Sequence, residues 1–172
     1  MTDIERKLKK IKVLALDVDG VLTDGKIIVD SAGKEIKNFD VKDGYAIVLF
    51  RKAGYQTAII SARKAIPVTA RAKDLLIDRV YQNAYPKIDF YQKLLKDLRV
   101  KDDEVCFVGD DLPDLQVIKQ AGLGVAVNDA VLEVKRAADY VTRKKGGRGA
   151  VREVIELILK AQGKWEHIVK SA

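Results

Sequence analysis

The apolar residues of this chain fall into two kinds of segment, which alternate along its length. Residues 13–16 and 57–60 form short runs that are almost entirely apolar, as in strands covered on both faces. Similar short runs recur at residues 79–82, 104–108, 123–127 and 140–141. Between most of these runs, apolar residues recur every three or four positions, as in helices with one buried face. Strands that alternate with helices predict parallel pairing through right-handed crossovers.

This alternation predicts an α/β protein with a three-layer, doubly wound, Rossmann-like fold around a parallel central sheet. A length of 172 residues is typical of one domain and is enough to bury roughly two-thirds of the unfolded surface. Because no repeat, linker or low-complexity segment divides the chain, we expect residues 1–172 to form a single domain.

Several segments carry helical patterns. One is expected over about residues 43–54, with an apolar face formed by Tyr45, Val48 and Leu49. Pro67 suits the first turn of the next, which we expect to run to about residue 73. A third begins at Lys87, a shorter one lies near residues 131–137, and a last one covers residues 151–159. The apolar faces of the third and the last are formed by Ile88, Tyr91, Leu94, Leu95 and Leu98, and by Val151, Val154, Ile155, Ile158 and Leu159.

Residues 25–41 interrupt the alternation after the first strand, where they predict a β-hairpin with its turn at residues 30–33. Its side chains Ile27, Val29, Phe39 and Val41 would be exposed on an isolated chain, and proteins seldom leave such edges uncovered. Pairing with the hairpins of other subunits would cover them; a hairpin folded against its own domain is the alternative. Residues 163–172 form a C-terminal tail with the single tryptophan, Trp165.

Composition narrows the classes of partner. The net charge of +7 comes from 32 Lys and Arg against 25 Asp and Glu residues, which are spread along amphipathic segments. Because nucleic-acid binding requires a basic face with a reader motif, we expect no nucleic-acid partner, but attraction of a small anionic substrate. No apolar run approaches the ~20 residues that span a bilayer, and residues 1–12 do not resemble a signal peptide. With its one cysteine, Cys106, in an apolar segment, we expect a cytoplasmic protein with no membrane partner.

Acidic residues directly follow two of the predicted buried strands. Asp17 and Asp19 follow the first strand, and Asp110, Asp111 and Asp114 follow the strand at residues 104–108. Open α/β sheets usually bind their ligands at the carboxyl ends of the strands. Carboxylates this close repel each other unless a cation or a proton lies between them. Asp17 and Asp110 could hold a hard cation such as Mg²⁺, which prefers oxygen ligands.

Two further polar residues lie where they could join this group. Ser61 follows the strand at residues 57–60 and Lys87 opens a helix, although each alone could be a helix cap or a surface lysine. Beside a cation, the hydroxyl and the ammonium would hold phosphoryl oxygens, since positioning and charge neutralisation do most of the work in phosphoryl transfer. The residue pattern therefore indicates metal-assisted phosphoryl chemistry at this edge of the sheet.

The order of four motifs resembles that of the haloacid-dehalogenase-type phosphohydrolase superfamily, over nearly the whole chain. The motifs are DVDGVLTDG at residues 17–25, IISAR at 59–63, GDDLPDL at 109–115 and GGRGAVRE at 146–153. More narrowly, they look like those of the phosphatases of 3-deoxy-D-manno-octulosonate 8-phosphate. That resemblance implies hydrolysis of this sugar phosphate in lipopolysaccharide biosynthesis. Ala62 stands where relatives usually have glycine, a departure that leaves the implied roles intact.

By this resemblance, Asp17 is the nucleophile that forms an aspartyl-phosphate, and Asp19 is the general acid and then the general base. The implied cofactor is Mg²⁺, bound by Asp17, the backbone carbonyl of Asp19, and Asp110. The other implied site residues are Ser61 and Lys87, which bind the phosphoryl oxygens, and Asp111 and Asp114, which lie at or just behind the metal ligands.

Residues outside the reaction centre are expected to recognise the substrate and to form contacts between subunits. Arg63, two residues after Ser61, could grip a sugar carboxylate with its planar guanidinium, and the glycines around Arg148 let the backbone approach a ligand. Many relatives carry a separate cap domain, and no insertion here is large enough for one. The resemblance implies instead a homotetramer through the 25–41 hairpin and a tail that reaches the site of a neighbouring subunit.

Other functions would share part of this pattern. A phosphatase of a sialic-acid-type nonulosonate 9-phosphate would carry the same motifs and differ only in its sugar. A phosphorylatable receiver module has a similar sheet, but it takes up phosphate on an aspartate after its third strand, whereas here two further acids follow the fourth main strand. A catalytically silent scaffold would not need the full set of acids. No motif reads the sugar by itself.

Overall fold

A six-stranded sheet is the centre of the computed structural model, which describes residues 2–171. The strands of the protein are β1 (Val13–Leu16), β2 (Ile28–Val29), β3 (Glu35–Ile36), β4 (Gln56–Ile60), β5 (Arg79–Tyr81), β6 (Val105–Gly109), β7 (Leu123–Ala126) and β8 (Tyr140–Val141). The sheet has the order β5-β4-β1-β6-β7-β8, and every neighbouring pair in it is parallel. The chain adds strands first on one side of β1 and then on the other, so the boundary between β1 and β6 is the switch point where such sheets bind ligands.

Helices flank the sheet in two groups. They are α1 (Asp3–Lys10), α2 (Val41–Lys52), α3 (Ile66–Asp74), α4 (Lys87–Leu98), α5 (Leu115–Gln120), α6 (Leu132–Ala137), α7 (Ala150–Ala161) and α8 (Trp165–Ser171). α7 packs against α1 and α2, whereas α5 packs against α4 and α6. The predicted three-layer, doubly wound α/β fold is confirmed, and residues 2–171 contain no insertion of cap-domain size. None of the helices described is long and apolar enough to cross a membrane.

Burial follows the apolar pattern most closely in β1 and α7. Every side chain of β1 is fully buried, as expected for a strand with helices on both faces. The predicted apolar face of the last helix is buried as well, at Val151, Val154, Ile155, Ile158 and Leu159. These two elements hold the loops that follow β1 and precede α7 at fixed positions above the sheet.

The predicted face of α2 is partly wrong. Leu49 is buried and Val48 is partly buried, as expected, but Tyr45 is 48% exposed, while Ala46, Ile47 and Phe50 are fully buried. Because α2 is apolar on nearly all sides, the spacing of its residues did not decide which side faces the core. The helix also begins earlier than expected, at Val41, because the side chain of Asp40 accepts the backbone N–H groups of Lys42 and Asp43.

The predicted hairpin is present, but its strands are short. β2 and β3 pair antiparallel with Ile28 opposite Ile36, and the side chain of Asp30 accepts two backbone N–H groups in the turn. Residues 37–40 then leave the strand to enter α2. At the opposite end of the chain, α8 packs against α7, with the ring of Trp165 near Arg152 and Lys160. The tail thus forms a helix on its own chain as far as residue 171; Ala172 lies outside the described residues.

Candidate active site

The predicted site residues lie at the carboxyl end of the central strands. Leu16, the last residue of β1, is opposite Ile59 of β4 and Val108 of β6. The next residue, Asp17, continues this pairing, because its N–H donates to the carbonyl of Val108 at 3.0 Å. Ser61 follows β4 directly and is 2% exposed. Parallel pairing therefore brings the residues after β1, β4 and β6 together at one edge.

Lys87 is the centre of the charge arrangement at this edge. It is the first residue of α4, and its side chain is 3% exposed. Its ammonium lies 2.7 Å from Asp17 Oδ1 and donates to Asp114 Oδ1 at 2.6 Å. The other oxygen of Asp114 accepts the backbone N–H groups of Asp110 at 2.9 Å and Asp111 at 3.4 Å. Asp114 thus fixes both Lys87 and the turn that carries Asp110.

The site contains more buried negative charge than Lys87 neutralises. Burial, and then the charge of Asp114, raise the pKa of Asp17 to about 7, although Lys87 acts in the opposite direction. Burial and the charges of Asp17 and Asp114 raise the pKa of Asp110 to about 8. Desolvation alone would lower the pKa of Lys87. The carboxylates of Asp17 and Asp114 outweigh it and raise this pKa, which keeps Lys87 protonated. Such a site favours the uptake of a proton or a cation.

A divalent cation fits the geometry of these carboxylates. Asp17, Asp110 and Asp114 each offer an oxygen within 4.8 Å of the others. Asp110 Oδ1 is buried and has no hydrogen-bond partner, although buried polar atoms are normally paired. Gly20 is required beside it, because a Cβ there would lie 2.0 Å from Asp110 Oδ2. An all-oxygen donor set with one unsatisfied carboxylate oxygen suits Mg²⁺.

Asp19 lies in a second cluster of charges, at the rim. Its Oδ1 accepts a hydrogen bond from Lys37, and its Oδ2 lies 3.8 Å from Arg63. Both cations also contact Glu35, at 2.8 Å from Lys37 and 3.2 Å from Arg63. Lys37 and Glu35 were not among the predicted site residues. The alternation Glu35-Ile36-Lys37 was the available signal, since it puts both charges on one face of a strand.

The glycine-rich run before α7 contacts, through its backbone, the loop at residues 17–25 that follows β1. Gly147 N–H donates to the carbonyl of Val21 at 2.9 Å, and a Cβ on Gly146 would lie 1.7 Å from the carbonyl oxygen of Gly20. Arg148 reaches Asp24 at 3.8 Å and is 65% exposed, so it is at the rim and not at the buried centre. We expected these glycines to let the backbone approach a ligand, whereas in the structure Gly146 and Gly147 let it approach the backbone of residues 20–23.

Asp43 is a buried acid that the sequence pattern did not single out. It is 1% exposed, and its carboxylate accepts the backbone N–H groups of Gly149 at 3.1 Å and Arg152 at 2.8 Å. Burial raises its pKa to about 6. It thus caps the first turn of α7 from α2 and fixes the loop that carries Arg148. Sequence could not indicate this, because the capped helix begins more than a hundred residues later.

The side chain of the remaining predicted residue, Asp111, does not join the buried group, although its backbone N–H donates to Asp114. It is exposed, and its side chain accepts the N–H of Leu112 as a helix cap. Asp17, Lys87 and Asp114 form the buried centre, the half-buried Asp110 lies beside them, and Asp19 lies at the rim. The direct role of each of these residues in catalysis remains a prediction.

Comparison with known proteins agrees with this arrangement. A family model for haloacid dehalogenase-like hydrolases matches residues 34–155. The chain belongs to this family. It is 46% identical, over 94% of its length and 86% of the relative's, to the 3-deoxy-D-manno-octulosonate 8-phosphate phosphatase of Escherichia coli strain B / BL21-DE3. Membership of a hydrolase family excludes the receiver module considered above.

Two solved structures of such phosphatases are similar along nearly the whole chain. That of Moraxella catarrhalis, in complex with a magnesium ion, a phosphate ion and a KDO molecule, has a TM-score of 0.97 and 41% identity, and covers 99% of this chain and 98% of that one. That of Yersinia pestis has a TM-score of 0.93 and 44% identity, and covers 95% and 89%. The chain therefore has the fold of these haloacid dehalogenase-like hydrolases without a large cap.

Removing the Asp43 carboxylate should destabilise this hydrolase. Asp43→Ala leaves the N–H groups of Gly149 and Arg152 buried without acceptors, which should lower the free energy of unfolding by ~1–3 kcal/mol. Asp30→Ala is the matched control, because it also removes an acceptor of two N–H groups, but in an exposed turn. Urea denaturation measures both. Equal effects of the two substitutions would contradict a role for Asp43 in capping α7.

The stability of the metal-free protein should fall as the pH rises. Because Asp17 and Asp110 have raised pKa values, of about 7 and about 8, the folded state holds protons that the unfolded state has released. Their contribution is fully present below the unfolded pKa of about 4 and is lost as the pH rises through 7 and 8. Urea denaturation of the chelated protein at about pH 6 and about pH 9 measures this loss.

Mg²⁺ should restore more stability at the higher pH, where the carboxylates carry their charge without competing protons. Asp110→Asn should reduce both the pH dependence and the effect of Mg²⁺, whereas the exposed Asp111→Asn should change them little. A free energy of unfolding that is independent of pH in the metal-free protein would contradict this account of the site.

Proposed function

We propose that this chain is a Mg²⁺-dependent phosphomonoesterase that hydrolyses 3-deoxy-D-manno-octulosonate 8-phosphate to KDO and phosphate, in the biosynthesis of lipopolysaccharide. The observation that carries the proposal is the buried centre of Asp17, Lys87 and Asp114 beside the unpartnered oxygen of Asp110. The names of the relatives supply the sugar. The cytoplasm, where free thiols such as that of Cys106 stay reduced, is the proposed compartment.

The reaction begins with attack of an Asp17 oxygen on phosphorus. Lys87 holds Asp17 Oδ1, which leaves the other oxygen to act as the nucleophile. The phosphorus–oxygen bond to the sugar breaks, and Asp19 delivers a proton to the departing alkoxide. The products of this half-reaction are the sugar and a phosphorylated Asp17. Asp19 then takes a proton from water, which attacks phosphorus and releases phosphate from Asp17.

Charge neutralisation makes this attack possible at a site that is rich in carboxylates. A bound Mg²⁺, held by Asp17, Asp110 and the backbone carbonyl of Asp19, would offset the repulsion between the nucleophile and the anionic phosphate. Lys87 and the hydroxyl of Ser61 would bind phosphoryl oxygens from the side of α4 and β4. Asp114 would act through Lys87 and Asp110, whose positions it fixes.

Recognition of an acidic sugar is assigned to the rim. Arg63 is 43% exposed, so its guanidinium can exchange Glu35 and Asp19 for a substrate carboxylate. Arg148, which is exposed beside Asp24, can likewise turn its guanidinium toward a substrate carboxylate. These residues would distinguish an acidic sugar from a generic ester without taking part in the chemistry.

A panel of phosphate esters tests the proposed function. With Mg²⁺, the wild type should hydrolyse 3-deoxy-D-manno-octulosonate 8-phosphate with a kcat/KM at least ~10-fold above that for a nonulosonate 9-phosphate or p-nitrophenyl phosphate. Asp17→Asn should be inactive on every ester while it keeps the fold, because an amide is a poor nucleophile. Preference for the 9-phosphate would replace the proposed sugar, and an active Asp17→Asn would remove the assigned nucleophile.

We also propose that the protein assembles as a homotetramer through its hairpin. The supporting observation is that apolar side chains of the hairpin are exposed on the single chain, at 62% for Ile27, 42% for Ile28, 56% for Val29 and 49% for Ile36. Monomeric proteins seldom expose such clusters, and subunits that pair there would cover them. The same contact would bring neighbouring chains close to the rim of each site.

Ile28→Asp should break this assembly, because it puts a charge on the face of the hairpin that carries Ile36. Sedimentation equilibrium should give a tetramer for the wild type and smaller species for the variant. Lys34→Glu, in the exposed turn, is the control and should leave the mass unchanged. A wild type that is monomeric at all concentrations would contradict the proposal.

A further inference from the structure

The hairpin carries a buried lysine although most of its other side chains are exposed. The side chain of Lys37 is 1% exposed, whereas its neighbours Ile36 and Asn38 are both exposed. A buried ammonium is costly unless carboxylates face it. Two do so here, on Asp19 and Glu35. The hairpin is therefore attached to the rim of the site by charge, while Phe39, predicted to be exposed, is partly buried against the core at its C-terminal end.

Four charged side chains close this contact into a ring. Lys37 lies between Asp19 Oδ1 and Glu35 Oε1, and Arg63 lies between Asp19 Oδ2 and Glu35 Oε2. The two carboxylates and the two cations balance, so the ring adds no net charge to the site. The hydrogen bond from Lys37 is the main reason that the pKa of Glu35 is lowered, which keeps Glu35 ionised as the second partner.

Lys37 binds the Asp19 carboxylate more closely than Arg63 does. Lys37 makes a direct hydrogen bond from a buried position, whereas Arg63 is 3.8 Å away and 43% exposed. Asp19 Oδ1 is thus the fixed oxygen, and Oδ2 is the one that becomes free when Arg63 turns toward a substrate. A carboxylate held by one oxygen presents the other in a defined direction, which is what proton transfer to a leaving group requires.

We propose that Lys37 is a positioning residue for the Asp19 carboxylate, and that Glu35 supports it by holding both Lys37 and Arg63. The inference rests on the proposed phosphomonoesterase function, in which Asp19 transfers the proton, and it adds two hairpin residues to the site. Lys37 does not touch the phosphate; it acts through Asp19. The hairpin thereby becomes part of the catalytic unit as well as the surface proposed for assembly.

Two aryl phosphates separate this role from a structural one. Phenyl phosphate has a strongly basic leaving group that needs the proton from Asp19, whereas p-nitrophenolate leaves with little help. Lys37→Met, which keeps the size of the side chain, should lower kcat/KM, which reports the transfer to Asp17 alone, by ~10- to 100-fold for phenyl phosphate and by less than ~3-fold for p-nitrophenyl phosphate. Lys37→Arg should recover much of the loss. Lys34→Met, on the same hairpin but exposed, is the control and should match the wild type.

A double-mutant cycle with Asp19→Asn identifies the partner through which Lys37 acts. In the Asp19→Asn background, Lys37→Met should change kcat/KM for phenyl phosphate by less than ~2-fold, since the group that it positions is already gone. The proposal would be overturned if Lys37→Met caused its full loss of activity in the Asp19→Asn background as well. It would also be overturned if, with Asp19 intact, Lys37→Met lowered the activity on both esters equally. Higher activity of Lys37→Met would overturn it too, because it would make Lys37 an inhibitory contact.

Folding and the proposed function are controlled separately. If Lys37→Met does not fold, Glu35→Gln gives the same comparison with a milder change: a selective loss on phenyl phosphate supports the ring, and no selectivity overturns it. A wild type that hydrolyses neither these esters nor 3-deoxy-D-manno-octulosonate 8-phosphate with Mg²⁺ would overturn the proposed function and this inference together. A wild type that hydrolyses both, with losses in Lys37→Met that are not selective, would overturn the inference alone.

Discussion

The buried ammonium of Lys87 is the interaction on which the rest of the site depends. Lys87 opens α4, Asp17 directly follows β1, and Asp114 lies in the turn after β6, so one charge joins three parts of the chain. Neither carboxylate would be stable at this depth without the ammonium, and the ammonium would not be stable without them. The acids still outweigh it, which is why the pKa of Asp17 and of Asp110 is raised and why a divalent cation fits beside them.

Backbone contacts hold the loops around this centre at distances that side chains would not allow. Gly20 leaves room for the Asp110 carboxylate, and Gly146 lies against the carbonyl of Gly20. Asp43 then fixes the start of α7, so the glycine-rich run cannot move away from the loop after β1 without losing two partly buried hydrogen bonds. The rigidity of the site thus comes from packing between loops, each of which is attached to a different helix or strand.

The hairpin offers different chemistry on its two faces because side chains alternate along a strand. Glu35 and Lys37 face the rim of the site, where they contact Asp19 and Arg63. Ile36 lies between them, opposite Ile28, and both are exposed. In this protein, which has no insertion of cap-domain size in the residues described, one short element therefore contacts Asp19 on one face and exposes apolar side chains on the opposite face.

The sequence by itself determined the fold class, the buried strand β1, the apolar face of α7 and the acids at the ends of β1 and β6. These follow from local rules, because burial on both faces requires continuous apolar runs and parallel strands bring their carboxyl ends to one edge. Tertiary packing decided which face of α2 is buried, since a helix that is apolar on nearly all sides has several possible contacts. It also decided the helical state of the tail, which packs against α7. Tertiary packing also decided three sets of contacts. These are the ion pairs of Asp19, the capping of α7 by Asp43, and the salt bridges of Lys87 with Asp17 and Asp114. Each of them connects residues far apart in the chain, and their distances are set by how the layers pack and not by any spacing along the sequence.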